Sequence, residues 1–337
     1  MNLPENLRHK FSHIYVEEEI LSFPETEEIL SHFSDAIVIP VRRYTDVFER
    51  TRQSLPFQQV AQNLILAGKH DQRIYQGSPV CQNFDERYFY YCAPVMNCLF
   101  DCEYCWLKGM YASANLVVFL NQEDFIHDTE KLLKEHPVYL CVSYETDLPG
   151  LESLLHLCRW WGKETVKHED LTIELRTKAS YQKSWEEIPV NDRIIFAFTL
   201  SPDEVIQNCE HGTASLDQRI QTIRKCLSEG RQVRLCFDPM IPVKNRKEAY
   251  CNMIEKIVDQ IDLKQIRDVS IGTFRISKQY LKKMRKAYPD SAVIQYPYVC
   301  DHGFYHLPDD LQKEMEEGMI ALLSEYMDRK KIFVWKN

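Results

Sequence analysis

The chain has 337 residues, of which 45% are hydrophobic and 27% charged, the composition of an ordinary folded protein rather than a disordered one. Its 41 Lys and Arg against 50 Asp and Glu give a net charge of −9, so the molecule as a whole does not attract polyanions. No stretch approaches about eighteen uninterrupted apolar residues and no apolar run follows a basic start, so we predict no membrane span and no signal peptide, and we expect a cytoplasmic protein.

The chain begins with an N-terminal extension, residues 1–84, which we expect to pack on the rest as a small α/β unit. Residues 36–40 predict a short buried strand there. Six apolar, β-branched or aromatic segments follow, with helical patterns between them. The strands are predicted at 87–92, 138–143, 171–177, 193–200, 232–237 and 266–274, and the helices at 124–135, 151–163, 215–228 and 247–261.

This alternation predicts an α/β fold with a parallel sheet and crossover helices, and six such units predict a partial (β/α)6 TIM-type barrel over residues 85–337. A last helix, predicted at 309–326, is expected to pack across the barrel through Leu311, Met315, Met319, Leu322 and Tyr326. Functional groups in such barrels gather at the C-terminal ends of the strands. We therefore expect the site at that edge.

Three cysteines, Cys98, Cys102 and Cys105, directly follow the first predicted strand in the spacing C-x3-C-x2-C. Three thiolates on one loop can hold three irons of a [4Fe-4S] cluster and leave the fourth iron open, whereas ferredoxins close the cluster with four cysteines. A zinc site that adds Cys92 is the alternative, but its spacing fits structural zinc poorly. Buried, unreactive thiols are the other alternative, and the charged residues within this segment argue against them.

Basic segments occur at 42–43, 219–234, 244–247 and 278–286. Each is interpreted as a solvated helix face, which is the usual reason for such a run. A local basic groove on an acidic protein remains compatible with nucleic-acid binding, because charges are screened over about 8 Å at physiological salt.

Four motifs carry a resemblance to the spore photoproduct lyase family of the radical S-adenosylmethionine (SAM) superfamily. They are Asn97-Cys-x3-Cys-x-Tyr-Cys-aromatic-Leu, Thr177-Lys178, Phe198-Thr-Leu-Ser and Glu210-x-Gly-Thr213. The resemblance extends over nearly the whole chain, from residues 14–17 to residues 274–277. It implies the partial barrel, a [4Fe-4S] cluster, SAM cleavage to a 5′-deoxyadenosyl radical, and an electron donor such as flavodoxin or ferredoxin. The implied reaction converts the methylene-bridged thymine dimer of ultraviolet-damaged DNA into two thymines.

The resemblance also implies roles for single residues. It assigns the cluster to Cys98, Cys102 and Cys105, and it places SAM near Tyr104, Thr146, Lys178, Thr199 and Asp238. A lysine charge suits the SAM carboxylate, and hydroxyl groups at strand ends can bond to the carboxylate or the ribose.

The chain departs from the family at the end of the second strand. Family members that return a hydrogen atom to the product carry a stretch similar to Cys-Thr-Ser-Asp, where this chain has Tyr144-Glu145-Thr146-Asp147. We predict that Tyr144 faces the deoxyadenosyl radical as the catalytic residue of that position. Cys141 lies an odd number of residues away, so strand alternation predicts that it points to the opposite face.

A second departure lies near residue 301, where the lyases resemble Arg-Tyr-Gly followed by basic residues. This chain has Asp301-His-Gly-Phe-Tyr-His306, with Asp309 and Asp310 beyond. Together the departures favour a repurposed pocket, as in a divergent paralogue that acts on another nucleotide or a small molecule. A non-catalytic iron–sulfur binding module and a zinc-stabilised DNA-binding protein are the remaining alternatives.

Overall fold

Two mainly parallel sheets organise the computed structural model, which describes residues 3, 7, 9–78 and 81–335. The strands are β1 (His13–Glu17), β2 (Ile37–Val41), β3 (Leu64–Ala67), β4 (Ile74–Gln76), β5 (Phe89–Cys92), β6 (Val95–Met96), β7 (Asp101–Cys102), β8 (Leu116–Phe119), β9 (Val138–Cys141), β10 (Leu171–Thr177), β11 (Ile194–Thr199), β12 (Glu210–His211), β13 (Gln232–Met240), β14 (Asp268–Thr273), β15 (Arg275–Ser277), β16 (Val299–Asp301), β17 (Phe304–His306) and β18 (Ile332–Val334). The helices are α1 (Pro24–Ser31), α2 (Thr45–Phe48), α3 (Leu55–Val60), α4 (Leu107–Met110), α5 (Gln122–Leu133), α6 (Glu152–Leu155), α7 (Leu157–Lys167), α8 (Asp203–Cys209), α9 (Leu216–Ser228), α10 (Arg246–Val258), α11 (Lys278–Ala287), α12 (Ala292–Gln295) and α13 (Asp309–Ser324).

The larger sheet is the predicted partial barrel. Its order is β18-β14-β13-β11-β10-β9-β5-β4, and the six strands from β14 to β5 are the six predicted from sequence. All pairs are parallel except β4 with β5. The edge strands β4 and β18 were not predicted, because three-residue strands carry too little pattern to recognise. The prediction of an α/β barrel is confirmed.

The predicted helices are present, with one interruption. The pattern at 151–163 divides into α6 and α7 at His156, whose φ of 55° lies in the left-handed region that ends a helix. The carboxylate of Glu152 accepts the backbone N–H groups of Cys158 and Arg159 at 2.7 and 3.0 Å, so the first turn of α7 is capped from the preceding helix. Helix α9 begins with the capping box of Ser215 and Gln218.

The smaller sheet has the order β2-β1-β3-β8-β6. The sequence predicted a buried strand at 36–40. A strand is present there, but it is not buried. The corresponding strand β2 forms the edge of this sheet, and Ile37 is 57% exposed. An apolar run does not reveal whether both of its sides will be covered.

The domain boundary between residues 84 and 85 stays a prediction. Each of the two sheets contains strands from both sides of this boundary. Strand β4 lies before the boundary and pairs within the barrel sheet, whereas β6 and β8 lie after it and pair within the smaller sheet. The N-terminal extension is therefore joined to the barrel through shared sheets.

Helix α13 packs against β14, β18 and α10. Met315 and Met319 are buried as predicted, but Tyr326 is 39% exposed because the helix ends at Ser324. Before α13, the chain forms the three-stranded sheet β15-β17-β16. Within the described ranges, no helix is long and apolar enough to cross a membrane.

The cysteine loop, residues 97–106, is tied to the barrel by a short antiparallel pair in which Cys102 of β7 lies opposite Glu210 of β12. Glu210 is 2% exposed and accepts hydrogen bonds from Tyr104 Oη, from Ser201 Oγ at 2.8 Å and from Arg219 Nη2 at 2.5 Å. Arg219, fully buried on α9, also donates to the carbonyl oxygens of Ala214 and Thr199. This network fixes the loop against two strand ends.

Replacing Arg219 with Met should lower the free energy of unfolding by about 3–5 kcal/mol, because the carboxylate of Glu210 would stay buried without its counter-charge. Arg224→Met on the exposed face of the same helix should change it by no more than about 0.5 kcal/mol. Urea unfolding curves of both variants measure the difference. Equal midpoints would show that this ion pair does not anchor the loop.

Candidate functional site

A cavity of about 670 Å³ opens at the C-terminal ends of the barrel strands, the edge where the sequence predicted the site. The cysteine loop forms one wall, the ends of β9, β10, β11 and β13 form the floor, and the start of α11 with the β16–β17 turn forms the rim. The predicted site residues all line it: Cys98, Cys102, Tyr104, Cys105, Tyr144, Thr146, Lys178, Thr199 and Asp238. Tertiary structure therefore brings together residues spread over 141 positions of sequence.

The three cysteines share the cavity wall. Burial is the main cause that raises the pKa of each thiol, and mutual repulsion between the sulfurs adds to it for Cys98 and Cys102. The backbone N–H of Phe100 donates to Cys98 Sγ at 3.4 Å. Cys92, which the zinc alternative requires, is fully buried on β5 and does not line the cavity. Among the described residues, no three His, Cys, Asp or Glu side chains converge on a point that suits a single metal ion.

Lys178 places its ammonium group in the middle of the cavity wall. Burial lowers its pKa, but the attraction of Cys102 and Glu210 outweighs burial and the net direction is upward. Its Nζ lies 5.8 Å from the centre of the Tyr104 ring. Because the Tyr104 hydroxyl donates to Glu210, the ring of Tyr104, rather than its hydroxyl, is free to contact a ligand.

Two threonines lie beside Lys178. The Oγ1 atom of Thr146 is buried and has no hydrogen-bond partner among the described residues, so it can bond only to something that enters the cavity. Thr199 is 6% exposed and its carbonyl oxygen is held by Arg219. Asp147 joins the two neighbouring strand ends by accepting from Thr177 Oγ1 at 2.8 Å and from the Lys178 N–H at 2.5 Å.

Asp238 lines the cavity, but its carboxylate is already paired. Arg275 donates to its two oxygens at 2.8 and 3.0 Å. Burial opposes ionisation of Asp238, and Arg275 outweighs it, so the pKa lies below its ordinary value. A Cβ atom at Gly272 would lie 2.8 Å from Arg275 Nη1, so only glycine leaves room for this pair. The ion pair, rather than a free carboxylate, forms this part of the wall.

Tyr144 faces the cavity and meets a cysteine that the sequence analysis did not single out. The Tyr144 hydroxyl lies 2.9 Å from Cys81 Sγ, a hydrogen bond in which either atom can donate. The Tyr144 ring stacks on Tyr91, with ring centres 4.1 Å apart, and lies 5.5 Å from the ring of Trp106. Burial is the largest cause that raises the pKa of the Cys81 thiol, so the sulfur keeps its proton near neutral pH.

The expectation for Cys141 was only half right. Strand β9 ends at Cys141 and a turn follows, so alternation does not continue to Tyr144. Both residues pack in the same apolar cluster, with Cys141 fully buried and its Sγ 3.8 Å from Glu174 Oε1. Cys141 does not line the cavity. It therefore shares a cluster with Tyr144 but not the cavity.

Arg176 is a second cavity residue that the sequence did not indicate. Its Nε donates to the buried carboxylate of Glu174, and its side chain is 25% exposed, where it lines the cavity. No sequence pattern marks Cys81 or Arg176, because neither belongs to a spaced motif; the cysteine count was the only available signal for Cys81.

Comparison with known proteins gives consistent matches. The family model described as spore photoproduct lyase matches residues 9–296. Curated relatives named spore photoproduct lyase include that of Bacillus subtilis (strain 168), 24% identical over 248 residues, which cover 68% of this chain and 70% of that protein. The protein of Clostridium acetobutylicum is 21% identical in a match that covers 96% of this chain and 98% of that protein.

Solved structures extend the match to the whole fold. Spore photoproduct lyase complexed with dinucleoside spore photoproduct superposes with a TM-score of 0.83 at 18% identity, covering 98% of this chain and 99% of that one. A mutant with bound AdoMet and dinucleoside spore photoproduct gives 0.82 at the same identity and coverage. At this identity, these matches establish the shared fold. Because the family model spans most of the chain, the protein belongs to the spore photoproduct lyase family, and with it to the radical SAM superfamily.

Proposed function

We propose that this protein binds one [4Fe-4S] cluster through Cys98, Cys102 and Cys105, binds SAM beside it, and cleaves a methylene-bridged thymine dimer in nucleic acid. The observation that carries the proposal is the single cavity shared by the three thiols, Lys178 and Thr146. Family members with this fold have been solved with AdoMet and dinucleoside spore photoproduct bound.

The residues present fit both groups. Three thiols on one cavity wall, Cys102 buried and Cys98 and Cys105 half-buried, are the donors that an iron–sulfur cluster with one open iron requires. The charge of Lys178 suits the carboxylate of SAM, and the unpartnered hydroxyl of Thr146 supplies a hydrogen bond at the same place. Tyr104 and Thr199 complete the SAM pocket by contact, and Asp238 contributes by holding Arg275. Bound together, the two groups would supply a 5′-deoxyadenosyl radical, which takes a hydrogen atom from the substrate.

The Cys81–Tyr144 pair is the proposed source of the hydrogen atom returned to the product radical. The Cys81 S–H bond breaks, a C–H bond forms on the product, and the unpaired electron stays on sulfur. Tyr144 can then pass its hydroxyl hydrogen to sulfur across the 2.9 Å contact, which moves the unpaired electron to the Tyr144 oxygen. One electron from the proposed electron donor and one proton would restore the phenol. Burial keeps the thiol protonated, as donation of a hydrogen atom requires.

A thiol in the cavity removes the main reason to propose a repurposed pocket. The family position holds tyrosine instead of cysteine, yet Cys81 reaches the same cavity from the segment before β5. Arg176 and Arg275 line the cavity on the wall that also holds Cys81, and guanidinium groups suit the carbonyl and phosphate oxygens of a dinucleotide. We therefore favour the family reaction over an unrelated small-molecule substrate.

The proposed cluster and the free thiols indicate the cellular compartment and the need for an electron donor. We propose a cytoplasmic enzyme, because a reduced cluster and free thiols persist in that compartment. An electron donor such as flavodoxin or ferredoxin would reduce the cluster. We further propose that residues 1–84 support the barrel through the shared sheets rather than carry a separate activity.

Anaerobic reconstitution with iron and sulfide should load about four irons per chain. Cys98→Ala, Cys102→Ala and Cys105→Ala should each lose most of this iron, because each removes a cluster ligand. The matched control is Cys300→Ala, since that thiol is exposed and does not line the cavity. Iron and sulfide analysis measures the result. Zinc without sulfide in the wild-type protein would contradict the assignment.

Lys178→Met should weaken SAM binding by about 1.5–3 kcal/mol, the worth of a hydrogen bond to a charged group. The iron content should stay unchanged. Lys183→Met, an exposed lysine five residues further along, is the control. Titration of the cluster's absorption spectrum with SAM gives the dissociation constants. Equal affinity for wild type and Lys178→Met would place the SAM carboxylate elsewhere.

An oligonucleotide that contains the methylene-bridged thymine dimer tests the reaction and the hydrogen source together. With SAM and dithionite, the wild type should form two thymines. Cys81→Ala should still cleave SAM but release by-products instead of thymines, because the product radical finds no hydrogen atom. Tyr144→Phe should allow a first turnover and slow later ones.

Chromatography measures the 5′-deoxyadenosine, thymine and by-products formed by the wild type, Cys81→Ala and Tyr144→Phe. Cys141→Ala is the matched control, because that thiol lies nearby but outside the cavity. If Cys81→Ala forms thymines as the wild type does, Cys81 is not the donor.

A further inference from the structure

Helix α11 carries a basic surface that the proposed reaction does not use. Its sequence, KQYLKKMRKA, contains no Asp or Glu. Lys278, Lys282, Lys283 and Lys286 are all exposed, and none of them forms an ion pair with another residue in the described part of the chain. Lys278, Lys282 and Lys286 recur every four residues, so they form one row with a rise of about 6 Å between neighbours.

Most lysines on the other helices of this acidic protein have carboxylate partners, although the exposed Lys163 on α7 has none among the described residues. The pairs are Lys131 with Asp128, Lys167 with Glu164, Lys225 with Glu229, Lys256 with Asp203 and Asp217, and Lys313 with Glu317. A solvated helix face of the usual kind mixes both signs of charge in this way. The uncompensated row on α11 is therefore a local positive field on a molecule of net charge −9.

The row begins at the mouth of the cavity. Lys278, Gln279 and Tyr280 line its rim. The helix is fixed in place, because a Cβ atom at Gly109 would lie 2.4 Å from Tyr280 Cβ, so α11 packs directly on α4, the helix that follows the cysteine loop. The backbone N–H of Lys278 also donates to the Gly303 carbonyl oxygen at 2.9 Å.

Aromatic rings continue from this rim into the cavity. The ring of Tyr280 is nearly parallel to that of Trp106 at 6.5 Å, and Trp106 contacts Tyr144. A row of cations beside aromatic faces is the combination with which proteins bind a single strand of nucleic acid, phosphates on the cations and bases on the rings.

We infer that α11 binds the sugar–phosphate backbone of the nucleic-acid strand that leaves the cavity, with Lys278, Lys282 and Lys286 each facing a phosphate. The inference rests on the proposed function and deepens it, because it names the surface that holds the strand flanking the lesion. Asp301 on β16 does not pair with these lysines in the described part of the chain: its carboxylate lies 3.5 Å from His302 Nε2.

The double variant Lys282→Gln/Lys286→Gln tests this surface without touching the cavity. The control Lys131→Gln/Lys167→Gln removes the same charge from α5 and α7. Gln and Lys have similar helix propensities, so both double variants should keep the fold. Circular dichroism and urea unfolding check this. The probe is a fluorescent single-stranded oligonucleotide of twelve thymidines, and anisotropy gives its affinity at several salt concentrations.

For single strands, each lost phosphate contact lowers the magnitude of the slope of log K against log salt by about 0.7. The α11 variant should therefore lose about 1.4 units of slope and bind roughly tenfold or more weakly at 0.1 M salt, whereas the control should match the wild type. Equal slopes for the two double variants would overturn the inference.

An acidic redox protein is the other polyanion that this surface could attract. In that case, the α11 variant would keep the wild-type salt dependence of oligonucleotide binding. Its cluster would be reduced more slowly by flavodoxin but at an unchanged rate by dithionite. This result would show that the inference is wrong and that the surface binds the electron donor. The anisotropy measurement needs neither SAM cleavage nor turnover. If the proposed reaction does not occur, the binding measurement can therefore still be interpreted.

Discussion

The geometry of the cavity depends on one buried ion pair, between Glu210 and Arg219. The cysteine loop has little regular structure of its own, and it is held by the short pairing of Cys102 with Glu210 and by the hydrogen bond from Tyr104. Arg219 joins this carboxylate to the carbonyl oxygen of Thr199 at the end of β11. Without Arg219, the buried carboxylate of Glu210 would have no charge to compensate for its desolvation. The ion pair therefore holds the cysteine loop and the barrel in a fixed relative position.

Charge is distributed unevenly around the cavity. On the side of the cysteine loop, Lys178 lies near the Cys102 thiol and the buried carboxylate of Glu210, which raise its pKa against the effect of burial. On the opposite side, Arg275 is paired with Asp238 and Arg176 with Glu174. An anionic ligand group is therefore stabilised beside the cysteines, whereas the far wall offers guanidinium hydrogen bonds whose charge is largely compensated.

In the proposed reaction, the hydrogen donor lies on a different segment of the chain from the family's cysteine position. Tyrosine at position 144 fills space that a cysteine would leave open, and its hydroxyl extends to a thiol that comes from the segment before β5. Tyr91 and Trp106 pack against the Tyr144 ring of this pair. A thiol and a phenol in contact, each with a pKa that burial raises further above neutral pH, form a suitable reservoir of hydrogen atoms.

The sequence by itself determined the barrel and the cluster motif. The six strands of the barrel have long apolar runs, and Cys98, Cys102 and Cys105 lie on one loop, so local periodicity and spacing were sufficient. Only the tertiary structure decided which residues meet across the cavity. Cys81 and Tyr144 are 63 positions apart, and the pairing of Asp238 with Arg275 spans 37. Such contacts arise from sheet order and loop packing, which residue spacing does not encode, and the same reason left the exposure of β2 and the position of the α11 lysines undetermined.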